Sequence, residues 1–554
     1  MTSEKASTAA ETRSTTIDEL PPELLSLIFL LCVPDDFERT THPEWILTIN
    51  VCRRWREVAL ATPQFWANVA FHRDIAPLML ARARNAPLSV CLDLDAESES
   101  GRRLTWDERV DLVRGNWHRI ETLHISGNNE ILEAFIESLR PLANADATNA
   151  LTNLAIANTT TGVPLFLDSA AILLCPSSDP ERMRHLRLEN CGLTWDSPWF
   201  SNLASLHLSD LQDVHGLTLM SLVDIIRACP LLRSLHLART SMQLESPGWM
   251  LPIQMPHLEV VQILESITVC GWLLDTLRFQ KAKQIMVEYL WGFDEVDTEM
   301  IPRFVHRQLV ASYKTLDIKV AGHIFQLSAT WNIPYERTLT LIIHDPNPVE
   351  VIGLVVNNGI IEQERAAFTH LRFLRLSLPK TPMFSDPQAM EELCQSPHLE
   401  HLSIDGFSLL LMLSLMLEWS MAQLSFSYRR PPAGRYLLYR QIFPRLRTLE
   451  LSNVRLSSFG DTSEHPLLDT ANLVRATLWA RWAHRKPVST LRISKCSNVI
   501  QADLAQFRYL VDNFVWDGEG LTLMREKEEM DSSRAIREFS LAVFQEWATA
   551  WRDA

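Results

Sequence analysis

Two histidines are the side chains whose type and spacing come closest to chemistry. His207 and His236 occupy the same slot of what read as consecutive short strands. Paired strands stand about 4.8 Å apart. Two imidazoles at that spacing are either a metal- or proton-binding pair or two polar residues in a solvated ladder. His124 shares the slot but lies repeats away. Beyond them the chemistry is thin. The chain holds no G-x-x-x-x-G-K-[ST], G-x-G-x-x-G, H-E-x-x-H or G-x-S-x-G. Acidic pairs such as Asp35-Asp36 and Glu391-Glu392 read as solvated loop or helix charge. Seventeen glycines in 554 residues leave few places for phosphate-cradling loops. The nine cysteines are scattered and never form C-x-x-C, so neither a zinc site nor a disulfide framework is expected. No catalytic residue, metal or cofactor is nominated, and the chain is not expected to be an enzyme.

The elements that would position such residues must come from a folding composition, with 47% apolar and 21% charged residues. A net charge of −15 argues against a nucleic-acid coat or a polybasic membrane binder. Residues 1–16 are Ser/Thr/Ala-rich without an apolar signal core, and are expected to be a disordered tail. The apolar run Phe407 to Ala422 carries Glu418 and is shorter than the roughly 20 residues a spanning helix needs. It reads as a buried or groove-lining helix. The expected setting is reducing and intracellular, cytoplasmic and/or nuclear.

A first folded unit is expected over 17–70. Asp18 and Pro21-Pro22 can open a helix on which Leu24, Leu27, Ile28 and Leu31 recur at helical spacing. A second helix is expected from Pro43-Glu44 through Ile46, Ile49, Val51, Cys52, Trp55 and Val58 to Thr62-Pro63, followed by Phe65-Trp66. Three short helices bury little surface alone. An apolar face of this size either meets a partner or docks on the rest of the chain.

Leu20-Pro21-Pro22-Glu23-Leu24-Leu25, then Val51-Cys52-Arg53-Arg54-Trp55, then Pro63-Gln64-Phe65-Trp66, resemble in order the F-box motif. The likeness is strongest to the version abundant in mushroom-forming fungi, and it covers about a tenth of the chain. The segment Pro34 to Trp45 is longer and more polar than the family's inter-helix turn. The resemblance implies docking on the Skp adaptor of a cullin-based SCF ubiquitin ligase through Leu20, Pro21, Leu24, Ile28, Val51, Cys52 and Trp55. In the family's pattern Trp66 closes the motif.

Over 71–524 a core of the form L-x-x-L-x-L recurs. It runs from Ile120-Leu123-Ile125 through Leu206-Leu208 and Leu235-Leu237 to Val488-Leu491-Ile493, and is patchy between about 265 and 370. Proline precedes several copies, as in Cys229-Pro230, Met255-Pro256 and Phe443-Pro444, where it ends one segment and restarts the chain extended. The pattern resembles the leucine-rich repeat, one strand plus a returning helix per unit. The Asn or Cys which that family places after the strand is clear only at Asn128, Cys191 and Cys496. The alternative is a run of unrelated αβ units.

The expected fold is thus an α/β solenoid. It would be an irregular leucine-rich-repeat horseshoe, preceded by a small three-helix F-box and closed by an amphipathic capping helix over 525–554. Residues flanking the leucines would face the concave surface, including His185, Arg187, Glu189, Ser205, His207, Ser209, His236, Ala238, Arg375, His401, Asp405, Glu450 and Arg492. Arg187, His207, His236, Arg375, Asp405, Glu450 and Arg492 are the candidate substrate contacts. Taken together, the resemblance implies a substrate-recognition adaptor with a Skp-family protein, a cullin and a protein substrate as partners, and neither nucleic acid nor membrane. The alternatives are an interaction scaffold uncoupled from ubiquitination, or a small-molecule sensor on the repeat arc.

Overall fold

The computed structural model describes residues 17, 20–33, 44–70, 74–95, 104–143, 150–160, 165–167, 182–211, 216–243, 252–279, 281–290, 314–321, 324–331, 337–344, 370–378, 396–406, 443–456, 470–483, 486–519 and 521. The 1–16 tail, the Phe407–Ala422 run and the 525–554 capping helix lie outside them. The chain divides into two compact units, 1–248 and 249–554.

Unit one opens with helices α1 (Pro22–Cys32) and α2 (Arg53–Ala61). Helices α3 (Ala76–Ala83), α4 (Trp106–Asn116), α5 (Asn129–Ala143) and α6 (Leu219–Ala228) follow, interleaved with strands. The strands are β1 (Asn68–Ala70), β2 (Leu88–Asp93), β3 (Ile120–Gly127), β4 (Asn153–Asn158), β5 (His185–Glu189), β6 (Ser205–Ser209) and β7 (Ser234–Ala238). They pair in chain order and all parallel. Strand β1 falls inside the 17–70 segment, so the last three residues expected in the helical unit belong to the sheet.

The second helix differs from expectation. A 3₁₀ stretch covers Glu44–Asn50, Val51-Cys52 breaks the chain, and α2 starts afresh at Arg53. The run Ile46 to Val51 is rich in β-branched residues and ends in Asn-Val, types that hold a helix poorly. Cys52 then takes extended geometry, and its sulfur accepts the Trp55 N–H at 3.4 Å as the cap of α2.

Unit two carries β8 (Val260–Ser266), β9 (Gln284–Leu290), β10 (Thr315–Ala321), β11 (Ile324–Trp331), β12 (Arg337–His344), β13 (Phe373–Leu378), β14 (His401–Gly406), β15 (Thr448–Ser452), β16 (Thr490–Ser494) and β17 (Asn513–Trp516). Its helices are α7 (Ile267–Thr276), α8 (Thr470–Ala483) and α9 (Gln501–Leu510). From β13 to β17 the strands pair parallel in chain order. Between β9 and β13 lies an excursion: β12 pairs parallel to β9, β11 runs antiparallel to both β12 and β10, and β10 rejoins β13 in parallel. This excursion falls within the stretch where the repeat pattern is patchy. The units are thus large, mostly parallel sheets with helices, an α/β build of solenoid-like kind.

The leucine positions make the core. Leu123, Leu154, Leu186, Leu206, Leu235, Val261, Leu374, Leu402, Leu449 and Leu491 are buried, each with the apolar residue two places on. Burying one such side chain is worth about 1.5–3 kcal/mol. Helices cover that face: α5 packs on β3, α7 on β8 and β9, and α9 on β17. At two of the prolines the chain makes a tight turn rather than restarting extended at once. Leu232 N–H donates to Cys229 O (3.1 Å) and Leu446 N–H to Phe443 O (3.1 Å), tight turns with Pro second and a buried first residue.

Six of the strands also end in a shared way. The residue after β5, β6, β7, β15 and β16 is Asn190, Asp210, Arg239, Asn453 or Lys495, and all have φ between 49° and 55°. Gly406 holds the matching place on β14 at φ 72°. Left-handed backbone there turns the chain off the sheet, so that Asn190 N–H reaches Ser209 O (2.9 Å) and Asp210 N–H reaches Ala238 O (2.8 Å). Asn190 adds side-chain bonds, its Nδ2 donating to Thr160 O at 2.6 Å and Asn158 O at 3.2 Å. Replacing Asn190 by Gly keeps the backbone and loses the amide; replacing it by Val loses both. Urea denaturation should show N190G destabilised by about 1–2 kcal/mol and N190V by about 3 kcal/mol, since left-handed geometry costs a side-chain-bearing residue about 1–2 kcal/mol. Equal losses would remove the backbone role.

Candidate functional site

The N-terminal helices form a small aromatic core. Phe29 of α1 meets Trp55 of α2 (5.2 Å between ring centres) and Phe65 (5.7 Å), and Phe65 meets Trp66 edge-on (5.3 Å). Trp66 is fully buried, donates its Nε1–H to Ala59 O at 2.8 Å, and takes the Arg82 guanidinium over its ring at 4.3 Å. Ser26 and Thr62 hydroxyls lie 2.9 Å apart, tying α1 to the end of α2, and the Arg54 guanidinium holds Leu20 O.

With that core closed by Leu25, Phe29, Val58, Phe65 and Trp66, the other side of α1 remains uncovered. Leu24 is 47% exposed, Leu27 55% and Leu31 85%, and nearby in sequence Leu47 is 63% and Val51 62% exposed. Of the residues expected to meet a partner, Pro21, Leu24 and Val51 are exposed and Leu20, Ile28 and Cys52 half-buried. Trp55 is half-buried against Phe29. Trp66 lies in the aromatic core and not on that face. Leu47 was missed, because inside an assumed continuous helix its exposure could not be told from its neighbours'.

The outward faces of the sheets hold the polar candidates. On unit one, pairing sets Cys91, His124, Ala155, Arg187, His207 and His236 in one row across β2 to β7. The His207 and His236 rings stack face to face, 3.9 Å between centres and 7° from parallel. Stacking turns ring faces toward each other, so the nitrogens do not converge on one ion. Among the described residues no three His, Cys, Asp or Glu side chains cluster to hold a metal. Arg187 Nε donates to Glu189 Oε1 at 2.6 Å, and the same oxygen lies 3.9 Å from His207 Nε2. Ser209 and Ala238, expected to face outward, are buried, because the left-handed residue of the preceding strand closes over their carbonyls.

On unit two, one row reads Asp317, Arg375, Ser403, Glu450, Arg492 and Val515 across β10 and β13 to β17. Flanking rows place Phe373 against His401, rings 4.4 Å apart, and Ser377 against Asp405. Asp405 accepts from Asn453 Nδ2 (2.7 Å) and Ser377 Oγ (3.2 Å). His401 Nε2 lies 3.3 Å from Glu450 Oε2. Burial pushes Asp317 above the ordinary carboxylate value, against the pull of Arg375 and Lys319. All seven expected substrate contacts therefore stand on outward faces. Arg187, His207 and His236 adjoin one another on unit one; Arg375, Glu450 and Arg492 share a row on unit two, with Asp405 one row over.

No protein-family model matches the chain, and no curated protein is significantly similar to it. Among the described residues no helix is long and apolar enough to cross a membrane.

His401 offers a test of the unit-two geometry. Burial holds its pKa below 6.5, Glu450 pulls it up, and Arg492 pushes it down. In a titration followed by NMR of ¹³C-labelled histidine, E450Q should lower the His401 pKa further and R492Q should raise it. Because the folded value is the depressed one, the unfolded chain binds the proton more tightly. Stability owed to the neutral ring is complete above pH 6.5 and falls as pH drops from there through the folded pKa.

Proposed function

We propose that the chain is a substrate-recognition adaptor of an SCF-type ubiquitin ligase. Its residues 17–70 act as an F-box that docks on a Skp-family adaptor, and its outward sheet faces, as the concave side of a leucine-rich-repeat arc, hold a protein substrate. The observation that carries this reading is the uncovered face of α1. A helical module with a finished aromatic core leaves Leu24, Leu27 and Leu31 in solvent, on the segment where Leu-Pro-Pro-Glu-Leu-Leu resembles the F-box start. Exposed apolar groups gathered on one element mark an interaction surface.

The mechanism is proximity. A protein that grips a ligase at one end and a substrate along the repeats raises the effective concentration of a substrate lysine near the ubiquitin-loaded enzyme, and contributes no catalytic group. Polar, two-signed outward rows suit a protein ligand better than a phosphate backbone.

Co-expression with a Skp adaptor and a cullin should yield a stable one-to-one-to-one complex. Replacing Leu20 and Pro21 by Ala should weaken adaptor binding by about 2 kcal/mol or more, the scale of interface hot spots. L27D, on the uncovered face, should abolish co-purification without lowering the melting temperature. Adaptor binding that survives both changes would sink the docking assignment. A complex with the adaptor that excludes the cullin would favour a scaffold uncoupled from ubiquitination.

A further inference from the structure

The outward face of unit two carries both signs of charge, but it does not offer them equally. Its carboxylates are recessed and engaged. Asp317, Asp405 and Glu450 are half-buried: Asp405 accepts from Asn453 and Ser377, Glu450 lies against His401, and Asp317 is buried enough for its pKa to rise. The cations of the same rows, Lys319, Arg375 and Arg492, are exposed, and Arg372 and Arg447 at the strand starts are exposed too. On a chain with a net charge of −15, this face presents its bases to solvent and keeps its acids behind them.

The spacing is also informative. Arg375 stands on β13 and Arg492 on β16, three strand separations apart in one row, with Ser403 and Glu450 between. At about 4.8 Å per strand the two backbones are about 14 Å apart, and an extended chain advancing about 3.3–3.4 Å per residue covers that in four residues. Glu450, one strand from Arg492, repels any anion laid beside it. A polymer with a charge on every unit meets this carboxylate; a peptide with acids four apart and neutral residues between steps over it.

We infer that the outward face of β10 and β13–β16 binds an extended acidic peptide segment, with two carboxylates at positions i and i+4 held by Arg375 and Arg492. The inference rests on the adaptor reading for its biological role, and names the chemistry of the segment that the arc would select. Charge complementarity of this kind sets specificity and association rate more than raw affinity.

The test uses the full chain and fluorescein-labelled peptides in fluorescence anisotropy at low ionic strength. One Gly/Thr-rich probe carries glutamates at i and i+4, a second at i and i+2, and a third has glutamine in their place; a ten-nucleotide oligouridylate is the polyanion control. The i,i+4 peptide should bind with a Kd below ~1 mM and at least about fivefold tighter than the other two peptides. R375Q and R492Q should each weaken it about tenfold at an unchanged melting temperature. E450Q should tighten the i,i+2 probe and erase the spacing preference. Equal binding of the glutamine peptide, wild-type affinity in both arginine variants, or tighter binding of the oligouridylate would overturn the inference. A spacing preference that survives E450Q would overturn the role of Glu450. Adaptor capture through α1 is read separately. Peptide binding without adaptor capture would defeat the ligase reading alone, and adaptor capture without peptide binding would defeat this inference alone.

Discussion

Parallel strands that pair without slipping place each residue beside its counterpart on the next strand, and the outward chemistry of this protein depends on that one constraint. The repeated leucines enforce the register. A slip of one residue would turn Leu206 and Leu208 outward and drive His207 into the core, exchanging buried apolar side chains for a buried imidazole. Once register holds, the rows follow without further design: His207 must face His236, and Arg375, Glu450 and Arg492 must share a line. The left-handed residue that closes β5 and β6 serves the same end, since Asn190 and Asp210 tie the end of one strand to the carbonyl of the next.

Much of this was legible in the sequence, for a physical reason. An L-x-x-L-x-L core is a burial pattern, and burial is what the hydrophobic effect selects; every such core within the described residues is buried. What stayed illegible was set by backbone geometry or by contacts distant in sequence. Asn190, Asp210, Arg239, Asn453 and Lys495 share a conformation but not a residue type, so no motif announces the strand ends. Strand β9 departs from the leucine pattern because Ala282 stands in its first apolar position, although Ala282, Ile285 and Val287 are all buried. The β10–β11–β12 excursion reverses strand direction, which leaves a period-two pattern unchanged and so hides from it.

The helical start shows the same division. Periodicity placed α1 correctly, and marked Leu24, Leu27, Ile28 and Leu31 as one face, yet periodicity alone cannot say whether an apolar face is covered. Phe29 and Leu25 close the core and the marked leucines stay outside. Trp66 lies inside, where its ring meets the Ala59 carbonyl and Arg82. The fate of an aromatic residue depended on one hydrogen bond and one cation, both from positions that no local pattern connects to it.

Exposure likewise decides what a two-signed surface means to a partner. Counted by residue, the row Asp317, Arg375, Glu450 and Arg492 is neutral and suggests no preference. Counted by access, it is cationic, because short acidic side chains lie against the sheet where neighbours hydrogen-bond them, while arginine and lysine stems carry their charges beyond the surface. Water screens an exposed charge that has no partner and yields it readily to an incoming opposite charge. A carboxylate already bound by Asn453 or close to His401 has less to gain from an incoming cation. The sign that a partner meets is therefore the sign of the long side chains, and a chain acidic overall can still select an acidic ligand on one face.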